Sequence, residues 1–360
     1  MVHYINSFPG REIILNNRKY LYFGGTSYLG LQSDEEFKKN YIHNIMKYGT
    51  NYGASRKSNM RFSIFEKAEN HLAHLVGSEA CITLSSGYLA GQFVGHYFNS
   101  SENRLFYAPN THSALNFQPA VGQNGAKSYT SFEALSNAVH EHLAKKNGTT
   151  PIVLLDSIDF SGCNYPKFEG LQLLPLDKVI VIVDDSHGIG VVGSNGGGVY
   201  QKLKSLRPKE LIVCCSLGKG FGIQAGAVFG NTTRLKQLTD TDFFGGASPA
   251  APAAMASLID CDHIFSNKRN QLQKNIQLFV NGLAHKERFL FMKNHPAFSI
   301  LDSKLPPFLE AHDIILSNFN YPSEDADAMA RIVISANHQK KDISTLLTLV
   351  NEPSFDKTDI

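Results

Sequence analysis

No stretch of about 18 consecutive apolar residues occurs in this chain, so no segment of it reads as a membrane-spanning helix. A surplus of one charge is equally lacking. Lys and Arg number 34 against 32 Asp and Glu, a formal net charge of +2, and no long basic run concentrates it. That leaves no broad field for nucleic acid or an anionic membrane surface and points to a small-molecule partner. Cysteine is sparse: Cys81, Cys163, Cys214, Cys215 and Cys261 are odd in number and show no C-x-x-C spacing. A disulfide framework and a zinc or redox pair are therefore not expected, and reduced thiols in a cytoplasmic protein are. The opening MVHYINSFPGREIILNN has neither the basic patch nor the apolar run of a signal peptide. Internal repeats, low-complexity tracts and flexible linkers are also missing.

What is present is an ordinary globular composition, 42% hydrophobic and 18% charged over 360 residues. That length suits a large α/β domain with a smaller companion. Helices are expected from about Asp34 to Tyr48 and from about Ser63 to Val76, the second stopped by Gly77, with a loop at Gly49–Gly53. Ala80–Leu84, Ile152–Leu155, Val179–Val183 and Leu211–Cys215 are continuous apolar runs, as in strands covered on both faces. A mostly parallel central sheet with helices on both faces follows. From about Asn267 a long helical pattern leads into Phe298–Leu301, Ile332–Ile334 and a terminal helix, a smaller α+β domain. The division expected is an N-terminal segment at 1–25, a large domain at 26–265 and a small one at 266–360.

Four of these strands end in polar or small residues: Ser85-Ser86-Gly87, Asp156-Ser157, Asp184-Asp185-Ser186-His187 and Ser216-Leu217-Gly218-Lys219. Ligands of open α/β sheets bind outside the carboxyl ends of the strands, so these ends point to one site. Lys219 sits between Gly218 and Gly220, which leave room for a flat ring. A lysine in a partly desolvated cleft has a lowered pKa and forms an imine with an aldehyde; taken alone, it would be an exposed turn residue. Asp184 could pair with a pyridine nitrogen and keep it protonated, where an isolated aspartate would more often cap a turn. His187 could reach a phenolic oxygen on the same ring. Ser85–Tyr88 joins a strand to a helical stretch, and its free amides and hydroxyls make a seat for phosphate.

Three rival motifs fail on context. Gly188–Gly193 matches G-x-G-x-x-G, but Asp184–His187 separate it from the strand and Val191-Val192 followed by Ser194–Gly198 predicts a loop rather than a helix. Gly218-Lys219 resembles the end of a P-loop, yet position 213 is Val and Gly220 follows the lysine. His71 and His74 share a helix face without a third ligand, so no metal is expected.

In order along nearly the whole chain, Tyr28–Leu31, Gly53–Arg56, Ser86–Tyr88, Val183–Gly190, Leu217–Gly222 and Ala330–Ser335 resemble the α-oxoamine synthase family of fold-type I enzymes dependent on pyridoxal 5'-phosphate (PLP). The resemblance implies that Lys219 carries PLP as a Schiff base, that Asp184 pairs with the pyridinium nitrogen and that His187 lies near the phenolic oxygen. It places His112 stacked on the ring, Ser86, Gly87, Tyr88 and Ser216 around the cofactor, and Arg331 on the amino-acid carboxylate. It also implies a homodimer with interface active sites, in which Ser248 reaches the neighbouring subunit's phosphate. The reaction implied condenses a small amino acid with an acyl-CoA or acyl thioester, with decarboxylation, to an α-amino ketone. Transamination, decarboxylation or a non-catalytic binding role on the same fold are the alternatives. Departures from the family fall on the acyl side: Thr26-Ser27 for Asn-Asp, Ser58–Arg61, Phe65 for a histidine, a shortened Asn320-Tyr321-Pro322, and Asp159 or Ser161 in place of a serine.

Overall fold

Uninterrupted apolar runs form strands at the centre of a layered structure because only there are both faces covered. The computed structural model describes residues 3–117, 128–146, 148–320 and 328–352. Among them are strands β1 (Glu12–Leu15), β2 (Arg18–Phe23), β3 (Ala80–Leu84), β4 (Asn103–Tyr107), β5 (Thr150–Asp156) and β6 (Ile180–Asp184). These are followed by β7 (Glu210–Ser216), β8 (Gly226–Gly230), β9 (Phe289–Phe291), β10 (Ala297–Ile300), β11 (Ile314–Asn320) and β12 (Ala328–Val333). The chain divides into two units, one of Lys39–Asp159 and Cys163–Asp262, the other of Met1–Lys38, Phe160–Gly162 and His263–Ile360.

In the larger unit six strands lie in the order β3-β8-β7-β6-β5-β4. β4 to β7 are mutually parallel, and β8 runs antiparallel to both β7 and β3. The mostly parallel sheet expected from the sequence is there. Ile152, Leu154, Ile180, Ile182, Ile212 and Cys214 form one buried stripe, packed with Ala90, Phe93 and Val94 from the helix Gly87–Phe98. The helix Ser63–Val76 ends at Gly77, whose φ of +78° is the left-handed stop that glycine accepts without strain. Midway along it Glu69 takes both guanidinium nitrogens of Arg56 at 2.9 and 3.0 Å and the Thr83 amide and hydroxyl at 2.8 Å. Phe65, in the place of the family histidine, lies 4.1 Å under that guanidinium.

The smaller unit is a second six-stranded sheet, ordered β1-β2-β11-β12-β10-β9. The segment read as a separate N-terminal stretch supplies the hairpin β1–β2, and β2 pairs in parallel with β11. Buried beside it is His338, whose Nδ1 accepts the Ser335 N–H at 2.9 Å and whose Nε2 donates to the Tyr22 carbonyl at 2.9 Å. Acceptance at Nδ1 needs the neutral ring, and burial pushes its pKa down to about 4. Between about pH 4 and the ordinary histidine value the unfolded chain binds a proton that the folded chain does not, so stability falls on acidification across that window. The expected loss is on the order of 3 kcal/mol. His338→Gln, measured by urea unfolding at several pH values, should flatten this slope, and an unchanged slope would rule the histidine out as its source.

Candidate active site

Successive residues of a strand face opposite sides, and this alternation gives the two adjacent aspartates at the end of β6 different surroundings. Asp184 continues the stripe of Ile180 and Ile182, is 8% exposed, and accepts the Ser186 N–H at 2.8 Å. Asp156, at the end of β5, is its register partner. Asp185 faces the other way, accepting the Ser157 hydroxyl at 2.6 Å and the Val199 N–H at 3.0 Å. Burial pushes its pKa up to about 7. A Cβ on Gly188 or Gly198 would lie 2.1 or 2.0 Å from its oxygens, so the glycine-rich stretch folds around this carboxyl as a loop, not as a nucleotide fingerprint. Asp185 organises that loop, while Asp184 shares the face of Asp156.

The next strand supplies the amine. At the end of β7 the Ser216 hydroxyl accepts the Gly218 N–H at 3.2 Å and opens the helical turn Leu217–Gly220. This turn holds Lys219, whose Nζ lies 3.0 Å from His187 Nε2. The Ser216 N–H donates to the Ser186 hydroxyl at 2.8 Å, tying the two strand ends together. His112 follows β4; its Nδ1 accepts the Ala114 N–H at 3.0 Å and its own N–H donates to Asp156 Oδ2 at 3.2 Å. Burial pushes the His112 pKa down, with Asp184 opposing and Lys219 reinforcing, which places all three in one electrostatic environment.

Beside them β3 ends and the helix Gly87–Phe98 begins. The Ser86 hydroxyl accepts the Leu89 N–H at 3.1 Å, and the first-turn amides of Gly87 and Tyr88 lie where no carbonyl within the helix can take them. A Cβ on Gly87 would stand 2.6 Å from the Ser216 backbone, and one on Gly226 2.1 Å from the Ser86 carbonyl. Only glycine lets the helix start come this close to the turn that holds Lys219. Ser248 is exposed, its carbonyl accepting the Ser85 N–H at 3.1 Å, and Tyr88 is 56% exposed.

Arg331 belongs to the smaller unit, on β12 between Ser317 of β11 and Ser299 of β10, with its guanidinium 3.5 Å over the Phe160 ring. Thr26 and Ser27 line a cavity of about 180 Å³ in the same unit, together with Tyr22, Gln32, Ser335 and His338. Asp159 accepts the Cys163 N–H at 3.1 Å, whereas Ser161 is exposed. Tyr321 and Pro322 lie outside the described residues. No cluster of metal-ligating side chains occurs among the described residues, and His71 lies 3.2 Å from Asp262 instead.

The model of the family "aminotransferase class I and II" matches residues 33–350. The chain belongs to this family. A curated relative, 8-amino-7-oxononanoate synthase of Pectobacterium atrosepticum, is 26% identical over 95% of this chain and 91% of its own. Among solved structures, serine palmitoyltransferase from S. paucimobilis, described with a bound PLP–myriocin aldimine, superposes with a TM-score of 0.74 at 19% identity, covering 97% of this chain and 91% of that one. The 8-amino-7-oxononanoate synthase of Francisella tularensis gives 0.69 at 22%, covering 92% and 97%. At these identities the structures attest the fold, fold type I, and the names are those of the α-oxoamine synthases that the motifs resemble. For an aminotransferase class I and II chain, the donor set fits PLP: an amine on a glycine-flanked turn, a buried carboxylate at the neighbouring strand end, and a helix start packed against the turn that holds the amine. Sequence reading named Ser186 and Asp156 only among the polar strand ends and gave neither a role: the Ser186 hydroxyl links two strand ends, and the place of Asp156 depends on register.

Proposed function

We propose that this chain is a PLP-dependent C-acyltransferase of the 8-amino-7-oxononanoate synthase type, joining L-alanine or another small amino acid to an acyl-CoA or acyl thioester, with decarboxylation. The observation that carries this reading is the amine of Lys219 at 3.0 Å from His187, in the unit where Asp184 ends a buried strand. When bound, PLP supplies the electron sink that stabilises negative charge at the amino-acid Cα. Lys219 would hold the cofactor's aldehyde, and its free amine would take the Cα proton as general base. His187 orients that amine. Asp184 keeps the ring nitrogen protonated, and the neutral imidazole of His112 offers a flat, uncharged face. Phosphate is held at the start of the helix Gly87–Phe98 by Ser86 and the amides of Gly87 and Tyr88, with Ser216 alongside. Arg331 suits a carboxylate because its planar fork donates two parallel hydrogen bonds.

A homodimer in the cytoplasm completes the reading, with Ser248 turned to the neighbouring subunit's phosphate. Ile42, Met46 and Met60 are exposed apolar side chains of the larger unit, which suits burial against a second copy. No helix among the described residues is long and apolar enough to cross a membrane.

The test is a panel of amino acids against acyl-CoAs of increasing chain length, following release of free CoA thiol and of CO₂ with the PLP-loaded chain. Stoichiometric release of both with one amino acid supports the reading. Amino-acid-induced changes in the cofactor spectrum with no thiol release from any acyl-CoA would instead favour transamination or decarboxylation, and inertness to every amino acid would favour a binding protein.

A further inference from the structure

Asp156 has no part in the chemistry described so far, yet its position is unusual. Register partners on neighbouring parallel strands project to the same face, so the carboxyls of Asp156 and Asp184 emerge side by side at the end of one apolar stripe. Asp156 Oδ2 accepts the His112 N–H at 3.2 Å, while Oδ1 is buried with no hydrogen-bond partner among the described residues. Among the groups that act on it are Asp184 and Asp159, which are acidic, the His112 amide, and the cation of Lys219. One lysine cannot offset two buried carboxylates, and an orphaned oxygen costs more in a charged group than in a neutral one.

We propose that Asp156 and Asp184 share one negative charge, that Asp156 is the neutral acid, and that it acts as a positioning residue: it holds the His112 backbone through Oδ2 and confines the charge to Asp184. Burial and the repulsion of Asp184 both push the Asp156 pKa well above the usual carboxylate range, in accord with this arrangement. The proton thereby selects which of two adjacent carboxyls faces a ring nitrogen as an anion. Asparagine has the shape and neutrality of the protonated acid: its oxygen accepts the His112 N–H and its amide supplies a donor. Alanine removes the acceptor.

This inference rests on the reading of the site as a PLP site, but its first test does not. Infrared spectra of the full chain at neutral pH, without added PLP, are compared for wild type and Asp156→Asn. The difference should contain the carbonyl stretch of a protonated carboxyl, which fades at high pH. Subtraction is needed because Asp185 also holds a raised pKa. Asp156→Ser provides the same subtraction if the Asn variant does not fold. A protonated-carboxyl band equally strong in wild type and variant, or missing from wild type, overturns the proposal and leaves the Lys219 chemistry standing. The second readout is PLP affinity by equilibrium dialysis. Asp156→Asn should stay within about threefold of wild type, and Asp156→Ala should lose about tenfold, the cost of one buried amide without its acceptor. Equal losses in both variants would show that the ionised carboxylate is what binding requires.

Discussion

Lys219→Ala abolishes the visible absorbance that the wild-type chain acquires with PLP and lowers turnover by on the order of 10³-fold or more. Two contributions disappear with one side chain: the covalent hold on the aldehyde, and the base that takes the Cα proton, which alone is worth roughly 10²–10⁴-fold. Folding should survive, since Lys219 is only half-buried on a short turn and the strands behind it owe their stability to the apolar stripe. The check is the absorbance spectrum of wild type and variant after PLP addition and dialysis, with far-UV circular dichroism to confirm the fold. A band of undiminished intensity in the variant would show that another amine holds the cofactor and would sink the assignment.

Glu69→Ala destabilises the larger unit by roughly 3–5 kcal/mol, the range found when one member of a buried ion pair is removed. The side chains of Arg56 and Glu69 are 13% and 11% exposed, and the carboxylate also accepts the Thr83 amide and hydroxyl. Deletion takes that acceptor from the Thr83 amide and hydroxyl and leaves the guanidinium only the longer contacts to the Thr83 hydroxyl and carbonyl oxygens at 3.3 and 3.5 Å, and the lost pair cannot be recovered from water in so closed a place. Urea unfolding of the single variant should show a lowered midpoint. Arg56→Met combined with Glu69→Leu should recover much of the loss, because the paired desolvation penalty goes with the pair. A single-variant loss below about 1 kcal/mol, the range of exposed pairs, would mean that the site is wetter than its burial indicates.

The legible parts of the fold were those written in consecutive residues. β5, β6 and β7 announce themselves as apolar runs, and Gly77 marks the end of its helix. β4 opens with Asn103 and Arg104, and β8 is bounded by two glycines, of which the packing of Ser86 requires Gly226, so neither carries an apolar run long enough to stand out. The hairpin β1–β2 was invisible for another reason: its partner β11 is almost three hundred residues away, and pairing at that range leaves no local period. In the site the same division holds. Lys219, Asp184 and His187 stand at strand ends in recognisable company. Asp156 was noticed as a strand end only, because its relation to Asp184 lies across the sheet and not along the chain.

The parallel pairing of β2 with β11 also orders events during synthesis. The larger unit is nearly continuous in the chain and can close once Asp262 has left the ribosome, since its last sheet partner, β8, has by then been made. The hairpin emerges before the larger unit, yet the strand it docks beside follows it by almost three hundred residues. Until then it is a two-stranded ribbon, marginal in water, with both edges unpaired. A nascent chain stalled before β11 should therefore hold a protease-resistant 39–262 and an N-terminus still open to cleavage, and release past that point should protect both.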